Sequence, residues 1–359
     1  MMPLPAIRGV LLEELVLHLL GLVGYRVVKA GDEGTRSGHS GLEVCGRGEW
    51  HQIDALAAFD RTPAFMYPLR LVLEAKCYAR RRPVGIEVAR NAVGVLKDIS
   101  ENYFSFPSTS AAGTEIQIPR FNYLSAIFST SGYTSGAQRY AIAHQIFLIQ
   151  YDRIGLLQPI VDGLLTLTAD HLNTTMKQHA EALVSARLRR EVRRLLEVGE
   201  YGQWPNDSVF SEAGYQHIWN NVVEPLLQIR GSYFGMLQGK WPMHLLSKHA
   251  LPAAAFADRD EVLCRVYGRE SDTWSFSPIN TKEGDAGWFR LEFDIPEEIL
   301  EVVETTRRDA VALAVLKQQQ FSFLDLAGRI GGIQRQVRLR LDEEWLEAYL
   351  QRIKKRRQQ

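Results

Sequence analysis

His51-Gln52-Ile53-Asp54-Ala55-Leu56-Ala57-Ala58-Phe59 and Arg70-Leu71-Val72-Leu73-Glu74-Ala75-Lys76-Cys77-Tyr78 are two apolar-rich runs separated by Arg61–Pro68, which contains Pro63 and Pro68. Runs of this kind bounded by proline read as two strands of a hairpin. Folding the segment about a midpoint near Ala64 sets Asp54 opposite Glu74. Lys76 then lies one pleat beyond Glu74 on the same face, because side chains alternate along a strand. Two carboxylates at one end of a sheet can hold a divalent metal through hard oxygen donors. A lysine beside them can steady developing negative charge, and this is the arrangement that phosphodiester hydrolysis needs.

The flanking segments predict a mixed sheet with helices. Leu12, Leu15, Val16, Leu19 and Val23 fall on one stripe of a helix over residues 7–23. Glu13 sits at the edge of that stripe and Glu14 points away from it. Gly24 stops the helix and Tyr25–Ala30 reads as a strand. Gly31–Gly41, rich in Gly and Ser, predicts a loop. A second helix over Gly85–Glu101 follows Pro83, and residues 104–120 read as an inserted loop. Tyr123–Ser129 suits a buried central strand. Gly136–His144 reads as a helix and Ile146–Gln150 as a last strand. The order α-β-β-β-α-β-α-β gives an α/β class, a mixed sheet flanked by helices.

After about residue 155 the pattern changes, which divides the chain into 1–155 and an α+β region 156–359. Residues 160–200 and 204–228 read as helical, with Tyr215, Ile218 and Trp219 inward in the second. Alternating, aromatic-rich runs between 229 and 295 predict antiparallel strands. A long helix over 297–320, a short helix over 322–330 and a break at Gly331-Gly332 complete the reading. The aromatics of 201–293 read as core, with a pocket for a modified or flipped base as the alternative.

Charge is balanced, with 42 Lys+Arg against 42 Asp+Glu in 359 residues, so any nucleic-acid surface must be local rather than global. Three widely spaced cysteines (Cys45, Cys77, Cys264) without a CxxC pair indicate neither a zinc site nor a disulfide framework and fit a reducing cytoplasm. No run of about 18 apolar residues predicts a membrane span. No P-loop or dinucleotide fingerprint is present.

Taken together, Leu12-Glu13-Glu14-Leu15-Val16, Gly24-Tyr25, Ile53-Asp54, Glu74-Ala75-Lys76 and Phe128-Ser129-Thr130-Ser131-Gly132-Tyr133, with Ala137 and Tyr140-Ala141, resemble the Mrr-type branch of the PD-(D/E)xK nucleases. The resemblance covers about residues 7–152. Ile53 stands where the motif Pro is usual, and Gly46-Arg47-Gly48-Glu49-Trp50-His51-Gln52 replaces a Gly-Asp-Gly-Gly run that often precedes the Asp.

The resemblance implies a restriction-endonuclease-like fold and a DNA endonuclease acting in restriction or phage defence, as a homodimer when both strands are cut. It implies that Asp54, Glu74 and the Ala75 carbonyl bind Mg²⁺ or Mn²⁺, and that Lys76 orients water or stabilises the phosphorane. Glu13 would reach the site as an outer or direct ligand. Residues 156–359 would then select the target, regulate or bind a partner. The competing expectation is a nuclease-fold effector or binding subunit that needs a defence-system partner or an activator.

Around this core, Gln52 shares the Asp54 face, whereas His51 alternates to the other face and reads as packed or solvated. Arg80, Arg81 and Arg82, and Arg90 and Lys97 on the second helix, are candidate DNA-phosphate contacts or solvated charges. Ser129, Thr130 and Ser131 are candidate phosphate contacts or turn caps. The Arg187–Arg194 cluster reads as a solvated helix face, and Arg352–Arg357 as a basic tail.

Overall fold

The structure is a computed structural model and describes residues 2–38, 41–62, 64–107, 115–175, 179–268, 273–295, 299, 303, 310–344, 346–348, 350 and 351. The chain forms two compact units. Residues 1–152 and 159–227 make the first, and residues 153–158 and 228–359 make the second. Residues 159–227, which the sequence reading groups with the C-terminal region, thus pack with the first unit.

The first unit runs α1 (Leu4–Val23), β1 (Tyr25–Val27), β2 (Thr35–Ser37), β3 (Leu42–Cys45), β4 (Trp50–Ile53), β5 (Ala55–Phe59), β6 (Leu69–Lys76), α2 (Ile86–Ser100), β7 (Tyr103–Pro107), β8 (Glu115–Pro119), β9 (Asn122–Ser129), α3 (Ser135–Ala143) and β10 (Phe147–Gln150). It is completed by α4 (Gln158–Leu165), α5 (Glu181–Val198) and helical residues 212–227. The principal sheet has the order β1-β5-β6-β9-β10. β1, β5 and β6 are antiparallel, and β6, β9 and β10 are parallel, so the sheet is mixed as expected. β6 and β9 occupy its middle. Parallel strands at the centre are covered on both faces, which is why Leu71–Leu73 and Ala126–Phe128 are continuous apolar runs.

Three corrections to the sequence reading concern local structure. The Gly- and Ser-rich segment expected to be a loop contains β2, which pairs with β3, which pairs with β4, as a separate three-stranded sheet. Arg36 holds this sheet together from its exposed side. Its Nε donates to Glu43 at 2.7 Å and its guanidinium lies 4.1 Å over the Trp50 ring. The inserted loop at 104–120 carries a paired hairpin, β7 with β8. Glu14, expected to point away from the core, is 2% exposed, because α1 is covered on its polar side by α5.

The second unit is a closed barrel of β11 (Gly231–Leu237), β12 (Trp241–Ser247), β13 (Glu261–Tyr267), β14 (Trp274–Pro278), β15 (Leu291–Phe293), β16 (Phe323–Ile330) and β17 (Ile333–Leu341). The segment 322–330, expected to be helical, is strand β16. A short apolar run fits either period, and the pairing with β17 decides it. Gly331 and Gly332, with φ of +58° and +80°, form the two-residue turn between them. Tyr233, Trp274, Phe276 and Phe289 are buried in the barrel core, and Trp274 stacks on Phe321 at 5.3 Å. Helix Ala310–Gln320 precedes β16. Much of the helix expected over 297–320, and the basic tail Arg352–Arg357, lie outside the described residues. No described helix is long and apolar enough to cross a membrane.

Candidate functional site

The register of the hairpin builds the site. Ala55 pairs with Leu73 and Leu56 with Val72, so the next position along places Asp54 against Glu74. The chain does not continue straight through Asp54, however. β4 pairs with β3 up to Ile53, whereas β5 pairs with β6 from Ala55 onward. Asp54 is therefore the residue at which the chain passes from one sheet to the other. On that side the Ala75 amide loses its strand partner, and the Asp54 side chain takes its place. Ala75 N–H donates to Asp54 Oδ2 at 2.9 Å. A main-chain donor left bare near the core is costly, so this bond fixes the carboxylate as well as closing the sheet edge.

Lys76 lies between the two acids. Its Nζ is 3.5 Å from Asp54 Oδ2 and forms a close ion pair with Glu74 Oε1. Burial alone would lower the Lys76 pKa, but Asp54 and Glu74 outweigh it and raise the group above its ordinary value. Burial and the Asp54 charge hold the Glu74 carboxyl above its usual range, with Lys76 opposing them. Glu13 reaches the same site from α1. Burial, and then the Asp54 charge, push its pKa up to about 7. Glu13 and Asp54 line one cleft.

A cleft of about 560 Å³ is lined by Glu13, Gln52, Asp54, Ala75, Lys76, Ser185 and Arg189 among others, and not by Glu74. A second cleft of about 310 Å³ is also lined by Asp54, and Ala182, Ser185, Arg189 and Arg193 line it too. Ala182, Ser185 and Arg189 share one face of α5, at spacings of three and four. The small side chains of Ala182 and Ser185 leave the clefts open, and Arg189 fills the space next to Glu13.

The Arg187–Arg194 cluster, expected to be a solvated helix face, is corrected at two positions. Arg189 Nη2 forms a close ion pair with Glu13, and its Nη1 donates to Glu14 Oε1 at 3.0 Å. Arg193 binds Glu14 through Nε and Nη2 at 2.5 and 2.8 Å. The sequence does carry a signal for this. Two adjacent glutamates inside the apolar stretch of α1 cannot be buried without cations, and arginines at i and i+4 of a later helix can supply them.

The remaining candidates sort by position. Gln52 is exposed on the rim of the cleft. His51 packs away from it, with Nε2 2.6 Å from Asp98 Oδ2 on α2, and this hydrogen bond holds the Asp98 carboxyl below its usual range. Arg80 reaches Asp162 of α4 at 2.6 Å. Arg81 is exposed, and Arg82 lies 4.8 Å over the Tyr78 ring. Arg90 and Lys97 are exposed on α2, Arg90 lying 5.8 Å from the Tyr140 ring.

Ser129, Thr130 and Ser131 are fully buried. Ser131 Oγ donates to the Arg82 carbonyl at 2.8 Å and lies 3.2 Å from Ser129 Oγ, and Thr130 Oγ1 donates to the Tyr78 carbonyl at 2.8 Å. They cap the turn that follows the motif strand and present no hydroxyl to a polyanion, which corrects the phosphate-contact expectation for Ser129 and Ser131.

Among the described residues, no three His, Cys, Asp or Glu side chains are grouped so as to hold a metal ion by themselves. The oxygen donors that Asp54, Glu74 and the Ala75 carbonyl offer are of the type that Mg²⁺ and Mn²⁺ prefer, and water can complete the shell of either ion. In this structure Glu74 is held by Lys76 and Asp54 by the Ala75 amide.

No protein-family model matches the chain. A search of curated proteins also found no match. Among solved structures, the chain is similar to a protein of unknown function, AF1548, at 14% identity and a TM-score of 0.28, over 53% of this chain and 99% of that one. It is also similar to NucC of E. coli MS115-1 in its apo form, at 14% identity and a TM-score of 0.22, over 54% of this chain and 81% of that one. Both TM-scores lie below 0.5, and nothing about the chemistry of this chain follows from them.

Proposed function

We propose that the first unit is a metal-dependent endonuclease domain that hydrolyses DNA phosphodiester bonds at Asp54, Glu74 and Lys76. One observation carries this reading. The hairpin register sets two carboxylates across from each other with a lysine ion-paired to both, and Asp54 and Lys76 line an open cleft. A surface hairpin serving only stability has no need to bring a third acid, Glu13, to the cleft that Asp54 and Lys76 line.

Asp54, Glu74 and the Ala75 carbonyl would hold Mg²⁺ or Mn²⁺. When bound, such a cation offsets the charge of the phosphate and brings the pKa of water toward neutrality. The Ala75 amide keeps Asp54 oriented toward the cleft. Lys76 directs its ammonium at the attacking water or at the charge that grows on the phosphorane. Glu13 serves as a direct or outer ligand, and Gln52 on the rim contacts phosphate or water. Arg81, Arg90 and Lys97 are exposed and remain available to the DNA backbone. Cutting both strands requires two sites, which a homodimer supplies. Restriction or phage defence is the setting proposed for this activity.

The test is cleavage of supercoiled and linear DNA by wild type and Lys76→Ala, with Mg²⁺, Mn²⁺ or EDTA. The expected result is nicking or linearisation that needs the metal and is lost in Lys76→Ala. Equal activity in the variant overturns the site.

A second reading is favoured by the ion pairs themselves. Arg189 and Lys76 already neutralise Glu13 and Glu74. That state suits an effector subunit that becomes competent only with a partner or an activator. Cleavage that appears only on adding cell extract would favour it.

A further inference from the structure

We propose that Arg189 is a phosphate-binding residue of this site, turning from Glu13 into the cleft when a divalent cation takes over the Glu13 carboxylate. This rests on the nuclease reading above. Three observations support it. Arg189 lines the 560 Å³ cleft together with Glu13, Asp54 and Lys76, so its side chain borders the space that a phosphate would enter. Its side chain is 24% exposed, whereas those of the two acids it bridges, Glu13 and Glu14, are 8% and 2% exposed. Its hold on Glu14 is also redundant. Arg193 binds both Glu14 oxygens through two nitrogens, so Glu14 keeps a complete partner when Arg189 leaves.

The charge balance of the cluster points the same way. Glu13, Glu14, Asp54 and Glu74 are four carboxylates, and Lys76, Arg189 and Arg193 are three cations. A phosphodiester brings one further negative charge into a site with no cation to spare. A divalent cation shared by the acids reverses that balance and frees Arg189. A planar guanidinium then offers two parallel donors to the non-bridging oxygens of a phosphate, which the compact ammonium of Lys76 cannot do. The small residues Ser185 and Ala182, one and two turns before Arg189 on the same face of α5, leave the space for that swing.

The test compares Arg189→Gln, Arg189→Lys and the control Arg193→Gln in the full chain. Arg193 holds Glu14 and borders the 310 Å³ cleft but not the 560 Å³ cleft that Lys76 lines, so its loss reports the ion-pair network without the larger cleft. Duplex binding is read by fluorescence anisotropy in Ca²⁺ across a salt series, and cleavage in Mg²⁺.

For Arg189→Gln the slope of log affinity against log salt should fall by about 0.9, the contribution of one phosphate contact. Its kcat should fall about 100-fold. Arg189→Lys should recover the slope but only part of kcat, and Arg193→Gln should keep the wild-type slope. Equal slopes for Arg189→Gln and Arg193→Gln overturn the proposal. Where wild type binds DNA but does not cut with any metal, the nuclease reading falls, and the slopes still decide whether Arg189 meets phosphate. Where wild type does not bind DNA, both fall.

Discussion

Arg193 grips both oxygens of Glu14, with Nε 2.5 Å from Oε2 and Nη2 2.8 Å from Oε1, across a sequence separation of 179 residues. Glu14 is 2% exposed on a helix that is otherwise apolar on almost every side. A carboxylate so placed is tolerated only because two fixed donors replace its water. Arg193→Ala is therefore expected to destabilise the first unit by about 2–3 kcal/mol. That is less than the ~3–5 kcal/mol typical of a buried charge left wholly alone, since Arg189 still reaches Oε1. Urea unfolding checks this, and a midpoint equal to wild type would show that water replaces the arginine freely.

Asp54→Asn separates chemistry from architecture. Asn can still accept the Ala75 N–H, so the sheet edge stays closed. The charge that raises Glu74 and Glu13 is removed, and with it the ion pair to Lys76, so the two effects oppose and stability should change little. Cleavage should nonetheless drop by about 100-fold or more, because a ligand and its charge are gone. Circular dichroism melting and the nicking assay on one preparation read both sides.

His244 sets a pH dependence in the barrel. It is fully enclosed on β12, hydrogen-bonds Ser232 Oγ at 2.8 Å and stacks on Phe234 at 4.3 Å. Burial pushes its pKa down to about 3 from the ordinary 6.5. The unfolded chain therefore binds a proton that the folded barrel refuses. Stability is complete above pH 6.5 and falls as the pH drops from 6.5 toward 3, by roughly 1.4 kcal/mol per unit. His244→Phe should flatten the curve in that window. Denaturant midpoints taken every half unit provide the measurement.

The two turn glycines of β16 and β17 should respond differently to a side chain. A Cβ at Gly331 would lie 2.6 Å from the Ala253 Cβ, and φ there is +58°. At Gly332 φ is +80° and no atom lies within 4 Å. Gly331→Ala should cost about 2 kcal/mol, combining the left-handed backbone with the clash. Gly332→Asn should cost less than about 1 kcal/mol, since Asn tolerates that backbone. Equal thermal shifts for the two variants would contradict this.

Much of the first unit's frame was legible because its signals are local. The midpoint at Ala64 follows from the spacing of two apolar runs and two prolines, and it yields the Asp54–Glu74 register directly. The alternation of helix and strand from Ile86 to Gln150 follows from periodicity and caps, such as Thr134 accepting the Ala137 amide at 3.2 Å. What escaped the reading depends on partners far away in the chain. The strand Thr35–Ser37 has no apolar pattern and exists because Leu42–Cys45 pairs with it. The helix expected over 322–330 is a strand for the same reason. Arg189 and Arg193 looked like solvent-facing charges because their glutamates lie on the first helix of the chain, out of reach of any pattern confined to one helix.

The bond that orients Asp54 spans 21 residues, whereas the ion pair that closes Glu13 spans 176. This difference sets an order of events during synthesis. At ~5–20 residues per second, the hairpin bearing Asp54, Glu74 and Lys76 can close within a few seconds of its emergence. The acids of α1 then wait on the order of ten to forty seconds for the arginines of α5 to be made. Through that interval the nascent chain carries two carboxylates that cannot be buried without their cations. Docking of the first helix is thereby tied to completion of a helix made nearly half a chain later, so a product truncated before α5 would keep the hairpin and leave α1 unsettled.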